Sequence, residues 1–191
     1  MRNTFDRFNG RHQDYQAARP SYAQEFLDWL GELYAPPERY TAADIGSGTG
    51  KLSAQLLAAG FRVCGVEPNP DMRGAAEALL GGDPRFSSSN GTDHDTGLPD
   101  RSVDMVAAAQ AFHWFDGPAF ARECRRILRP GGRAVLVWNV RGSAPMNQAL
   151  AQVFREHCPS FHGFTGGMGE DDPRIRDFFG GAYEKRRFPN P

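Results

Sequence analysis

The sequence predicts an α/β fold: a doubly wound, mostly parallel sheet with helices on both faces. Three observations predict it. Short, almost continuously apolar segments recur along the chain, Ala134-Val135-Leu136-Val137-Trp138 being the clearest, as strands buried on both faces require. Segments of helical pattern separate them, which is the order of crossover connections. The first of these strands runs into a glycine-rich turn, Gly46-Ser47-Gly48-Thr49-Gly50, and an acidic residue, Glu67, closes the next strand.

Residues 1–20 are polar and aromatic and end in Arg19-Pro20, where proline disfavours helix at the residue before it. Ser21 is a candidate cap for a helix over 22–34, with Phe26, Leu27, Trp29, Leu30 and Leu33 on one side and Pro36-Pro37 as its stop. Ala42 to Ile45 is the first strand, 46–50 the turn, and 51–59 a helix that Gly60 terminates. The second strand is 61–66. Asp71 is a candidate cap for a helix over 72–80, closed by Gly81-Gly82. Strands follow at 86–89 and 103–109, then a helix over 119–128 ended by Arg129-Pro130-Gly131-Gly132, then a fifth strand over 133–139. Beyond it the pattern predicts a helix over 146–157, a loop over 159–173 and one more strand over Tyr183 to Phe188. A fifth strand left at the sheet edge needs cover, either from residues 145–188 or from a second copy of the chain in a homodimer.

The chain has 191 residues, 40% hydrophobic and 24% charged, which suits one globular domain. A formal net charge of −1 offers no global footprint for nucleic acid, and the groups Arg122–Arg125–Arg126–Arg129 and Lys185–Arg186–Arg187 are short enough to be solvated faces. Cys64, Cys124 and Cys158 are sparse and form no CxxC pair, so reduced thiols and a cytoplasmic location are expected. His157-Cys158 with His162 matches no zinc spacing, and no metal is expected. No apolar run approaches ~18 residues, so no membrane span is expected either.

The turn after the first strand carries the chemistry. Glycines at 46, 48 and 50 let the backbone turn tightly and let a ligand come close, and the helix that follows presents free N–H groups. A carboxylate about 20 residues on, Glu67, can accept hydrogen bonds from two ribose hydroxyls. Two details separate a nicotinamide dinucleotide from S-adenosylmethionine. Lys51 occupies the position where the dinucleotide fingerprint wants Gly or Ala, and Asp44 stands two residues before the first glycine. A carboxylate there repels a pyrophosphate and suits an ammonium group.

AADIGSGTGKLS (42–53) resembles motif I of the class I S-adenosylmethionine-dependent methyltransferases, which have a Rossmann-like fold. VCGVEPN (63–69) is similar to their second motif, and LRPGG (128–132) to the turn before their fifth strand. Gln110-Ala111-Phe112-His113-Trp114-Phe115 resembles the QAFHW signature of a type 11-like subgroup related to trans-aconitate methyltransferase. Tyr15 with Arg19-Pro20-Ser21-Tyr22 resembles the same subgroup's N-terminal segment. The resemblance implies that Asp44, Gly46, Ser47 and Gly48 hold the methionine part of the cofactor and Glu67 its ribose. Pro68, Asn69 and Met72 would lie against the adenine, with Thr92 and Asp93 at its edge. It implies Gln110 and Ala111 below the sulfonium, Phe112, His113 and Trp114 near the acceptor, and Tyr15 and Arg19 in an N-terminal lid within about 1–35.

Two departures stand out. The subgroup has Ala-Glu where this chain has Asp93-His94, and such domains end in two more strands where this chain offers one, so it resembles a truncated member. On this reading residues 1–140 form the cofactor-binding domain, and 141–191 a helical and loop segment on the substrate side. Methyl transfer to a small-molecule acceptor is the expected activity. The alternatives are a non-catalytic S-adenosylmethionine-binding module and, last, an NAD(P)-dependent oxidoreductase. His113 is either the general base for an acceptor that loses a proton or a packing residue beside Trp114.

Overall fold

The computed structural model describes residues 20–140, 145–158 and 168–190. Its element order is α1 (Gln24–Leu33), a 3-10 turn (Pro37–Arg39), β1 (Thr41–Ile45), α2 (Lys51–Ala58), β2 (Arg62–Val66), α3 (Pro70–Leu80), β3 (Phe86–Ser89), β4 (Val103–Ala109), a second 3-10 turn (Phe112–Trp114), α4 (Gly117–Ile127), β5 (Leu128–Val137), α5 (Pro145–His157) and α6 (Pro173–Phe178). The five strands form one sheet in the order β3-β2-β1-β4-β5, and every neighbouring pair is parallel. From β1 the chain moves outward to β2 and β3, then returns across the sheet to β4 and β5. The crevice at the carboxyl ends of β1 and β4 is therefore the topological switch point.

Successive residues of each central strand point to opposite faces, so both faces need apolar side chains. Ala42, Val63, Met105 and Ala107 meet Phe26, Leu27 and Leu30 of α1 and Leu52, Leu56 and Leu57 of α2. Ala43, Ile45, Val66, Val106 and Ala108 meet Phe120, Cys124 and Ile127 of α4 and Ile175 and Phe178 of α6. This two-sided burial is why the strands read as unbroken apolar runs.

Several local expectations are corrected. Helix α1 begins at Gln24 behind Ala23, without a side-chain cap, so Ser21 does not cap it. Instead Ser21 accepts hydrogen bonds at its carbonyl from distant asparagines. Helix α3 begins earlier than Asp71 predicts: Asn69 Oδ1 accepts the Met72 N–H at 3.0 Å and Pro70 takes the first turn, where its missing N–H costs nothing. Asp116 likewise caps α4 through the Ala119 N–H, which moves the helix start from 119 to 117. Strand β5 starts at Leu128 rather than Arg133, because Leu128 already pairs with Val103 before the Pro-Gly-Gly segment shifts the register to Met105 and Arg133.

Tyr183 to Phe188 is not a strand. Among the described residues no strand pairs with it, and it is anchored by side chains instead. Phe188 packs on Phe26 and Trp29 of α1, and Arg186 lies over the Trp29 ring. Strand β5 stands at the sheet edge, and its Val135 and Val137 belong to the same cluster as Phe188. No helix among the described residues is long and apolar enough to cross a membrane.

Gly50 sits between β1 and α2 with φ +82°, and a Cβ there would meet Leu80 Cδ1 at 2.9 Å and Ala76 Cβ at 3.1 Å. Left-handed backbone is costly for any residue with a side chain, and here the added atom also wedges α2 from α3. Gly50→Ala is expected to destabilise the fold by about 2–4 kcal/mol in urea unfolding, the sum of the two penalties.

Candidate functional site

The loops leaving β1, β2, β3 and β4 enclose one cavity at the switch point. Gly46 makes it possible. Its φ is +69°, its N–H bonds the Val66 carbonyl at 2.8 Å, and a Cβ on it would lie 2.8 Å from the Ala111 Cβ. The turn is thereby pressed between the ends of β2 and β4, and Asp44, two residues earlier, lines the cavity.

Asp44 is almost wholly buried. Ser53 of α2 donates its hydroxyl to Asp44 Oδ2 at 2.7 Å, while Oδ1 has no hydrogen-bond partner among the described residues. Burial raises the carboxyl to about 6, and the Ser53 hydrogen bonds oppose the shift only in part. Glu67, at the end of β2, is better supported. Its Oε2 accepts the Gly48 N–H and its Oε1 the Asn69 N–H, both at 2.9 Å. Burial pushes this carboxyl up as well, and those two amides pull it back. Beneath it, Arg73 donates to the carbonyls of Glu67 (2.8 Å) and Pro68 (3.3 Å) and to Asn90 Oδ1 (2.9 Å), tying the end of β2 to the end of β3.

Of the residues singled out for a cofactor, Asp44, Gly46, Ser47, Gly48, Glu67, Pro68, Asn69, Met72, Thr92, Asp93, Gln110 and Ala111 all line this one cavity. Asp93 Oδ2 accepts the Asp116 N–H at 3.0 Å, and Asp93 Oδ1 lies 3.1 Å from His94 Nδ1, so this carboxylate also holds the β3 loop to the start of α4. Gln110 adopts φ +55°, held by its N–H on the Val137 carbonyl.

The residues singled out for substrate separate. Trp114 lines the cavity and is 47% exposed. His113 is not among the lining residues; its ring lies 4.7 Å, centroid to centroid, from that of Trp114. Phe112 is core, packed on Phe115, Phe120, Trp138 and Phe178. Tyr15 and Arg19 lie outside the described residues. Phe115 of the aromatic run also lines the cavity, as do Tyr22, Thr49 and Leu52, to which the sequence pattern assigns no cavity role. Nor does that pattern identify the supports Ser53 and Arg73. Ser53 was findable in principle, being a hydroxyl on the first turn of the helix that follows the glycine turn.

A family model for a methyltransferase domain matches residues 43–136. An uncharacterized methyltransferase of Mycobacterium tuberculosis (strain H37Rv) is 42% identical over 127 residues, 66% of this chain and 49% of that protein. A protein assigned as a type II methyltransferase, from Anaeromyxobacter dehalogenans, is 34% identical with a TM-score of 0.58, covering 90% of this chain and 68% of that one. A protein assigned as a methyltransferase of an antibiotic-biosynthesis pathway, from Anabaena variabilis, is 25% identical with a TM-score of 0.64, covering 84% and 61%. The chain belongs to the class I methyltransferase family. It spans about half the length of these curated relatives.

The raised Asp44 carboxyl sets a pH dependence. The folded state holds the proton more tightly than the unfolded chain, so the neutral carboxyl favours the fold. That contribution is complete below about pH 4 and is lost as pH rises through about 6. Two pKa units correspond to a contribution on the order of 3 kcal/mol. Ligand-free protein is expected to lose stability by that order between pH 4 and 7. Asp44→Asn should remove this part of the slope in denaturant titrations at several pH values.

Proposed function

We propose that this chain binds S-adenosylmethionine in the cavity and transfers its methyl group to a small-molecule acceptor. The observation that carries the reading is Asp44: it lines the cavity, it is buried, and one of its carboxylate oxygens has no hydrogen-bond partner among the described residues. A buried anion of this kind fits an ammonium group, and it does not fit a pyrophosphate. Glu67 supports the reading from the other end: each oxygen takes one backbone amide and keeps lone-pair capacity for a ribose hydroxyl.

In this assignment Asp44 binds the amino end of the cofactor, with the backbone of Gly46, Ser47 and Gly48 around it. Glu67 orients the ribose, Pro68, Asn69 and Met72 flank the adenine, and Thr92 and Asp93 bound its edge. Gln110 and Ala111 form the wall on the methyl side. When bound, the cofactor supplies a methyl group already activated by its sulfonium. The protein's task is then to align the acceptor and exclude water, which can supply much of the rate enhancement. Trp114, Phe115 and Tyr22 give the apolar surface for that task, and His113 acts by orienting Trp114. Residues 1–140 carry the cofactor half, and 141–191 contribute to the acceptor side.

Calorimetric titration with S-adenosylhomocysteine tests this. The chain is expected to bind it, and Glu67→Ala and Asp44→Asn are each expected to weaken binding by tenfold or more, about 1.4 kcal/mol. For the unsubstituted chain, affinity should rise with pH through about 6, as Asp44 ionises. Binding of NADH in place of S-adenosylhomocysteine would refute the proposal.

A further inference from the structure

We infer that Asn139 is a positioning residue, clasping the strap Pro20–Tyr22 to the cavity wall at Gln110. The inference rests on the cofactor reading above for what the cavity holds, and on geometry alone for the clasp.

The strap has no strand or helix to satisfy its backbone. Three successive carbonyls are met by side-chain amides instead. Asn139 Nδ2 donates to Pro20 O at 3.3 Å and to Ser21 O at 3.2 Å. Asn190 Nδ2 also donates to Ser21 O, at 2.8 Å, and to Asn139 Oδ1, at 3.0 Å. Gln55 of α2 brackets Tyr22, accepting its N–H and donating to its carbonyl, both at 2.9 Å. Tyr22 itself is buried and lines the cavity.

On its other side Asn139 meets the wall. Its backbone carbonyl accepts the Gln110 Nε2–H at 3.1 Å. Gln110 holds a left-handed conformation that is unfavourable for a residue with a side chain. Its N–H and its side-chain amide both end on the exit of β5, at Val137 and Asn139. One residue therefore joins two parts of the cavity that are about 90 positions apart in the chain: the wall expected to face the methyl group, and the strap that places Tyr22. Because side chains hold the strap, it can release without breaking the sheet. The Asn139 side chain then sets how firmly Tyr22 is kept against a bound ligand.

Asn139→Ala removes the Asn139 side-chain contacts to Pro20 and Ser21 and leaves the carbonyl that receives Gln110. Hydrogen exchange of the Tyr22 amide, the strap N–H bonded to Gln55, is expected to accelerate tenfold or more, with the α1 amides unchanged. S-adenosylhomocysteine affinity is expected to fall about tenfold. Asn139→Asp, equal in size but without the donors, should behave like Asn139→Ala. In a Tyr22→Ala background, Asn139→Ala should cost little further affinity, because both act through one group. Unchanged exchange at the strap would overturn the clasp, whatever ligand the cavity takes. Accelerated exchange with full additivity of the two substitutions would overturn positioning through Tyr22. Failure of the unsubstituted chain to bind S-adenosylhomocysteine would instead defeat the cofactor reading, and the exchange experiment would still decide the clasp.

Discussion

The cavity depends on one steric constraint, the turn at Gly46. The central strand must stop there, between β2 and β4, and the chain must leave upward without a side chain. Ala111 occupies the space a Cβ would need, and the turn's amides close on the Val66 carbonyl. Asp44 is thereby delivered to the cavity from a strand otherwise given to apolar packing, and the Gly48 amide is delivered to Glu67. The two carboxylates face a common space because the backbone between them cannot relax.

Those carboxylates are treated unequally, and the difference is informative. Glu67 has a backbone amide on each oxygen and an arginine holding its own carbonyl, so its charge is partly prepaid by fixed dipoles. Asp44 has one hydroxyl, and its other oxygen has no partner among the described residues. A protein selected for stability alone would fill that gap or replace the group, since a buried, half-satisfied carboxylate is costly. Where a cation completes the site, the same feature becomes binding energy and makes affinity depend on pH.

The chemistry-bearing residues were legible because they are local. The glycine turn, Asp44 and Glu67 are fixed relative to strands whose periodicity is plain, so their convergence follows once the strands are parallel. The caps were misread for a related reason. Asp71 and Ser21 are good cap residues by type, but Asn69 was already placed to accept from Met72, and α1 begins against the core at Ala23 without any side-chain cap. Residue type narrows the choice of cap, and packing makes it. Phe112 shows the same limit: within an aromatic run, nothing in the sequence says which ring turns into the core and which, like Trp114, stays at the cavity mouth.

By itself the sequence determined the strand and helix order as far as β5, the parallel sheet and the acidic and glycine positions along the cavity. These follow from periodicity, from backbone sterics and from chemistry within a few residues. Only the tertiary structure decided that Ser53 and Arg73 support the two carboxylates, that Arg186 and Phe188 rest on α1 while Tyr183 to Phe188 does not become a strand, and that Asn139 joins Gln110 to the strap. Each of those outcomes depends on which groups meet across the sheet or between chain ends. Such meetings are set by the summed packing of the whole core, and no local pattern encodes them.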